Sequence, residues 1–210
     1  MGRRGSYAKG LARRREILRT ALEVIARSGY SSASVRELAD AVGLSQAGLL
    51  HHFGTKEELF IEVLRARDEV DAAVAAGDPA PRRSAPDGSA PGGPDLSAVP
   101  LELGRFVEIL RRNAEVPGLI HLYTRLQAEA ADSGHPAHEY FRTRQQRVLA
   151  GLARAVRAAQ LQGDVQPELD PEETALELVA LADGLQAQWL LDPRVDMAAV
   201  MARHLERLRP

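Results

Sequence analysis

The chain has no cysteine, which excludes disulfides and thiolate metal sites. It has no apolar run approaching the roughly 20 residues that span a bilayer, so no membrane partner is expected. No apolar region follows the early arginines, and a secretory or twin-arginine signal is not expected. The reading is a cytoplasmic protein. Catalytic signatures are missing as well, with no Gly-rich phosphate loop and no Ser or Cys nucleophile motif. His135, His138 and Glu139 lie close in sequence, but Pro136 interrupts the helical spacing and no third ligand completes a metal set. His51 and His52 are adjacent, point to different helix faces and cannot chelate together. No catalytic residue, metal ligand or cofactor is therefore assigned, and the chain is not read as an enzyme. Lysine is scarce too: apart from Lys9 and Lys56, every basic residue is Arg. With abundant Ala, Gly and Pro, this fits a genome rich in G and C. Arginine number alone is then weak evidence for nucleic acid, and placement has to carry the argument.

The informative stretch runs from Ser34 to Leu59, SVRELADAVGLSQAGLLHHFGTKEEL. Ser34 followed by Glu37 is a capping box, which predicts a helix starting at Val35. Leu38, Ala39 and Val42 form one apolar stripe, and Gly43 follows where a left-handed residue would end the helix. Ser45 is the next N-cap, and Leu49 with Phe53 gives the second helix its buried face. Thr55 and Glu58 make a second capping box, opening a third helix that buries Leu59, Val63 and Leu64. Small Ala39 allows the close approach that a helix-turn-helix requires.

Gln46, Ala47 and Gly48 then occupy the first turn of the second short helix, where a reading helix faces base edges. Gln pairs with adenine and Ala touches the thymine methyl, while Gly48 lets backbone come close to the groove. His51, His52 and Lys56 are placed to meet phosphates. With the capping residues Ser34 and Ser45, these complete the residue-based set of DNA-binding candidates. Charge placement agrees: residues 1–56 hold ten Lys or Arg against four Asp or Glu, and the remainder holds 17 against 25. A basic end on an acidic body directs that end to a duplex. Arg3, Arg4, Lys9, Arg13, Arg14 and Arg15 read as a loose basic arm able to follow a minor groove.

Over about residues 10 to 70 the chain resembles the amino-terminal domain of the TetR family of bacterial regulators, through a first helix ending near SGY and then VRELADAVGLSQAGLLHHFGTKEEL. The resemblance implies an all-α fold, with a three-helix helix-turn-helix DNA-binding domain followed by a helical ligand-binding and dimerisation domain. It adds Arg36 to the DNA-binding candidates, since that position reaches bases in the family. It implies a homodimer on a palindromic double-stranded DNA operator, released by a small-molecule effector, and most simply a repressor. This chain departs from the family at Leu50, where an aromatic is usual, and at His52, where a second aromatic is frequent. Backbone anchoring should then lean on His51, His52 and Lys56. The alternative is a helical dimeric protein-interaction module that keeps a helix-turn-helix outline without reading DNA.

The domain boundaries expected are 1–55 for the DNA-binding part and 56–210 for the rest. Residues 77–100 hold six of the twelve prolines and read as a flexible loop. Helices are predicted over Leu101–Ala114, Leu119–Ala131, Pro136 to Leu161, from Asp170-Pro171 to Leu191, and from Asp196 through Leu208. The effector candidates are the polar or aromatic residues turned inward: Phe106, His121, Tyr123, Gln127, Tyr140, Arg144, Gln186 and Trp189. A small apolar or aromatic metabolite would suit them, with Arg144 or His121 holding an anionic group. In the last two helices the apolar residues cover more than one face, which leaves a surface for a symmetry mate. The interface candidates there are Leu178, Leu181, Ala182 and Leu185, then Val200, Met201, His204, Leu205 and Leu208.

Overall fold

A computed structural model of the chain describes residues 2–28, 35–75, 77 and 102–210. Ser34 and the Pro-rich stretch 78–101 lie outside the described residues, as does the start of the first capping box. The described residues form nine helices and no strand. They are α1 (Gly2–Ser28), α2 (Val35–Ala41), α3 (Gln46–Phe53), α4 (Lys56–Ala75), α5 (Leu103–Ala114), α6 (Pro117–Glu129), α7 (His138–Gln162), α8 (Pro171–Leu191) and α9 (Met197–Glu206).

Most boundaries follow local chemistry. Gly43 ends α2 at φ 68°, and Leu44 N–H reaches back to the Ala39 carbonyl at 2.9 Å. Ser45 caps α3 by accepting from Gly48 N–H at 3.0 Å. The second capping box closes reciprocally: Thr55 N–H donates to Glu58 Oε2 at 2.9 Å and Glu58 N–H to Thr55 Oγ1 at 3.1 Å. Asp170 and Asp196 cap α8 and α9 by accepting from Glu173 N–H and Ala199 N–H.

Three expectations need correction. The loose basic arm is helical from Gly2 onward. The long helix does not start at Pro136: residues 131–137 are turns, and α7 begins at His138. The turn is held by His138 Nδ1 at 2.9 Å from the Ala130 carbonyl and by Ala137 N–H donating to His135 Nδ1 at 3.2 Å. Leu208 lies past the end of α9; it is nevertheless buried, and its carbonyl accepts from Gln166 N–H at 2.8 Å.

Three apolar cores organise the chain. The first joins α1, α2, α3 and the first half of α4 to Leu119, Leu122 and Leu126 of α6 and Tyr140 and Phe141 of α7. The second packs α5, α7, α8 and α9 around Leu110, Leu152, Val156, Leu178 and Met201. The third is small: Ile120, Leu185, Trp189 and Met197. The helix-turn-helix therefore shares its core with the body through α4 and α6.

Leu122 is fully buried in that shared core. Leu122→Ala is expected to cost about 2–5 kcal/mol, read by urea denaturation. A loss under about 1 kcal/mol would show that the site collapses without the shared core noticing.

Candidate nucleic-acid interface and ligand cavity

The reading motif presents a polar surface on a buried base. Leu49 and Phe53 of α3 are buried, while Ser45, Gln46, Ala47 and His51 are exposed. Arg36 of α2 and Lys56 of α4 are exposed beside them. Gly48 and His52 are half-buried. A Cβ at Gly48 would lie 3.2 Å from Ser45 Oγ, so glycine here keeps the capping hydroxyl free to take the Gly48 N–H. The His51 and His52 rings stand edge to face, 6.1 Å apart, and Lys56 Nζ lies 5.6 Å from the centre of the Phe60 ring.

Two of the early arginines serve the fold instead. Arg13 Nη2 donates to the Val42 carbonyl at 2.6 Å, and Arg14 Nη1 to the His52 carbonyl at 2.9 Å. Arg14 also lies 4.6 Å from the centre of the Phe53 ring and pairs with Glu62 at 3.3 Å. They hold the carboxy-terminal ends of the two motif helices, where positive charge is favoured.

Behind the motif, a cavity of about 360 Å³ opens among α4, α5, α6, α7 and α8. Phe106, Tyr123, Gln127, Arg144 and Gln186 line it, five of the eight sequence candidates. The other three lie elsewhere. Trp189 packs in the third core with Ile120, and His121 is half-buried away from the lining. Tyr140 turns to Asp68, donating its hydroxyl proton to Oδ2 at 2.7 Å.

Sequence reasoning missed the α4 side of this cavity, where Arg67 and Asp71 join the lining. Charges four residues apart on a helix read as a solvated face, and only the packing of α6 and α7 over them reveals burial. A polar chain crosses the site. Asp68 accepts from Tyr140 and from Arg144 Nε at 2.8 Å; Arg144 Nη1 donates to the Tyr123 hydroxyl at 3.2 Å. Asp183 on α8, also missed, takes the Tyr123 hydroxyl at 3.5 Å and Gln127 Nε2 at 3.1 Å. Burial pushes the Tyr123 phenol up to about 12 and raises Tyr140 well above the ordinary tyrosine value. Arg67 Nε stands 3.6 Å from Asp71 Oδ2. Burial pushes the Asp71 carboxyl up from 3.8 to about 6, against the pull of Arg67.

The interface candidates divide. Leu178, Ala182 and Met201 are buried in the second core, Leu185 in the third, and Leu208 is buried beyond α9. They are spent within the chain, and the outward surface lies elsewhere on the same helices. Leu181, Val200, His204 and Leu205 are half-buried. The exposed stripe of α8 is Leu176, Ala180, Gly184, Gln188 and Leu191, with open space where a Gly184 Cβ would project. Among the described residues no helix is long and apolar enough to cross a membrane, and no acidic or histidine cluster is arranged for a metal.

The sequence models of two families match the chain. One, described as bacterial regulatory proteins of the tetR family, covers residues 17–63. The other, the carboxy-terminal region of BetI-type transcriptional repressors, covers residues 108–210. The HTH-type transcriptional repressor Rv1474c of Mycobacterium tuberculosis is 45% identical over 64 residues, 30% of this chain and 34% of the relative. The repressor AcnR of Corynebacterium glutamicum is 46% identical over 52 residues, 25% of this chain and 28% of the relative. The chain thus matches about a third or less of these curated relatives. Among solved structures, a transcriptional regulator from Saccharomonospora viridis in complex with choline is 27% identical with a TM-score of 0.61, over 93% of this chain and 94% of that one. A TetR regulator from Chloroflexus aurantiacus shares the fold at 20% identity, with a TM-score of 0.64 over 95% of both chains.

The Asp71 shift sets a pH dependence. Between about 4 and 6 the folded chain holds this proton more tightly than the unfolded chain does. Its contribution to stability therefore falls as pH rises through that window and is level above it, a change of up to about 3 kcal/mol. Urea denaturation of the wild type minus that of Asp71→Asn should show this fall, and equal profiles would place Asp71 in contact with water.

Proposed function

The chain belongs to the TetR family of bacterial regulatory proteins, and from that premise we propose a cytoplasmic transcriptional repressor, acting as a homodimer on a palindromic operator and released by a small molecule in the cavity. The observation that carries the reading is the first turn of α3. Gln46 and Ala47 stand exposed on a helix whose other face is locked into the shared core. Such a helix seats in a major groove with its amino-terminal side chains at base edges. Arg36 and Lys56 flank it with exposed positive charge for the phosphates.

A division of labour goes with this reading. Residues 1–55 read DNA, and residues from 56 onward hold the effector and the symmetry mate. The exposed α8 stripe supplies a surface on which a twofold partner can pack closely through Ala180 and Gly184. Twin reading heads must sit about 34–36 Å apart to meet successive major grooves. A cavity bounded by α4, the helix that leaves the motif, can change that separation by a small tilt.

Gln46→Ala is expected to lose about 1–3 kcal/mol of preference at one base pair per half-site while nonspecific binding persists. Selection of bound DNA fragments by both proteins reads this directly; an unchanged consensus takes base reading away from Gln46. Gly184→Arg should convert the dimer to a monomer in sedimentation and abolish gel shifts on a palindromic fragment. A variant that still sediments as a dimer would move the interface off α8.

A further inference from the structure

Arg67 differs from Arg142 and Arg144, cavity guanidiniums with side-chain acceptors. Arg144 is committed to Asp68 and the Tyr123 hydroxyl, and Arg142 to Glu139. Arg67 is more than nine-tenths buried, lines the cavity, and leaves Nη1 with no hydrogen-bond acceptor. Its one salt-bridge contact, Nε to Asp71, is too long at 3.6 Å for a hydrogen bond. A buried guanidinium N–H without an acceptor is costly, and this one belongs to a side chain that lines the cavity. Gln186 has the complementary deficit. It is buried in the same lining, its Oε1 has no donor, and its Nε2 makes only a 3.4 Å contact to the Ala182 carbonyl.

We propose that the cavity binds a small organic carboxylate with an apolar body, its carboxylate accepting from the Arg67 guanidinium. This rests on reading the cavity as an effector site. Phe106, Leu110, Phe141 and Val148 supply the apolar wall. One unsatisfied guanidinium N–H suits a singly charged carboxylate; a phosphate dianion would need more donors than the lining leaves open. Of the aromatic faces that a quaternary ammonium needs, the Tyr123 ring already has the guanidiniums of Arg67 and Arg144 over it, 5.4 and 4.9 Å from its centre, which leaves Phe106 and Phe141.

Asp71 adds a second signature. It is faced by Arg67 and Asp68 of its own helix, by Arg144 of α7 and by Arg112 of α5. A ligand carboxylate drawn to Arg67 competes with ionised Asp71 for that cation. Protonating Asp71 relieves the competition, so carboxylate binding strengthens as pH falls from about 8 to about 6.

The test is isothermal titration of the full chain with 3-phenylpropanoate and octanoate, with their primary amides, and with choline. The carboxylates are expected to bind at least about 10-fold tighter than the amides, with choline weakest. Arg67→Met should erase the acid-over-amide preference, with circular dichroism confirming its fold. If that variant does not fold, the acid–amide comparison on the wild type decides the matter. Equal affinities for acid and amide, tighter binding of choline, binding that weakens on acidification, or no carboxylate binding at millimolar concentration each overturn the proposal. Gel shifts with selected DNA on the same preparations keep the two readings apart. DNA binding without carboxylate preference removes the ligand assignment alone, whereas carboxylate binding without DNA binding removes the repressor reading and leaves the ligand standing.

Discussion

The turn of α4 that carries Arg67, Asp68 and Asp71 puts three ionisable groups inside the chain, and the surrounding architecture answers to that. Removing a charge from water costs several kcal/mol even after relaxation. The cost is tolerable only where partners arrive with good geometry. Here they arrive from three helices: Tyr140 and Arg144 from α7, Tyr123 from α6, and through Tyr123 the carboxylate of Asp183 on α8. The bonds from Tyr140 and Arg144 to Asp68 fix α4 against α7, and those of Tyr123 fix α6 against α7 and α8. Aliphatic packing alone would allow α4 to slide at modest cost, because one methyl contact resembles another. A chain of directed bonds has far fewer good arrangements, which suits an element whose amino-terminal end leaves the DNA-reading motif.

The basic amino-terminal end divides its arginines between folding and recognition. Arg13 and Arg14 complete the carbonyl ends of α2 and α3 from outside those helices. Short helices have few internal bonds, and the eight residues of α3 leave half its carbonyls without an intrahelical partner. Clamping them from α1 makes a stable reading head out of pieces too short to persist alone. The charge that remains for phosphates is accordingly smaller than the local excess of basic residues suggests. Arg36 on α2 and Lys56 at the first position of α4 are exposed cations.

What could be read from the sequence was whatever is local. The Ser45 cap, the Gly43 turn and the Thr55–Glu58 box are each settled within four residues, and each forms as the spacing indicates. The starts of α8 and α9 at Asp170 and Asp196 are of the same kind. Pro136 misled for a local reason too: its preference for a first helical position lost to a turn tied down by the imidazoles of His135 and His138. The cavity was only half legible. Phe106 on α5, Tyr123 and Gln127 on α6, Arg144 on α7 and Gln186 on α8 drew notice by type, while Arg67, Asp71 and Asp183 resembled solvent-facing charges until the helices covering them were known. The α8 surface was legible in part. Leu178, Ala182 and Leu185, read as interface, are buried within the chain, whereas Ala180 and Gly184, read as allowing close helix approach, stand exposed beside Leu176 and Leu191.

The helix that brings these parts together is α6, which enters two cores and the cavity lining while Arg125 and Ala128 face outward. Leu119, Leu122 and Leu126 enter the core shared with the reading motif. Ile120 enters the small core with Trp189 and Leu185 of α8. Tyr123 and Gln127 line the cavity and bond to Asp183. A helix moves as a rigid rod over this length, so a displacement imposed at Tyr123 is delivered to Leu122 and Leu126 without attenuation. Leu122 and Leu126 press on the same core that seats α1 and α4. Under the effector reading, a molecule that competes for Arg67 or Arg144 would act on the reading head by two routes, directly along α4 and through the opposite side of α6. Both routes end in packed side chains with discrete arrangements, which is the condition for a two-state response.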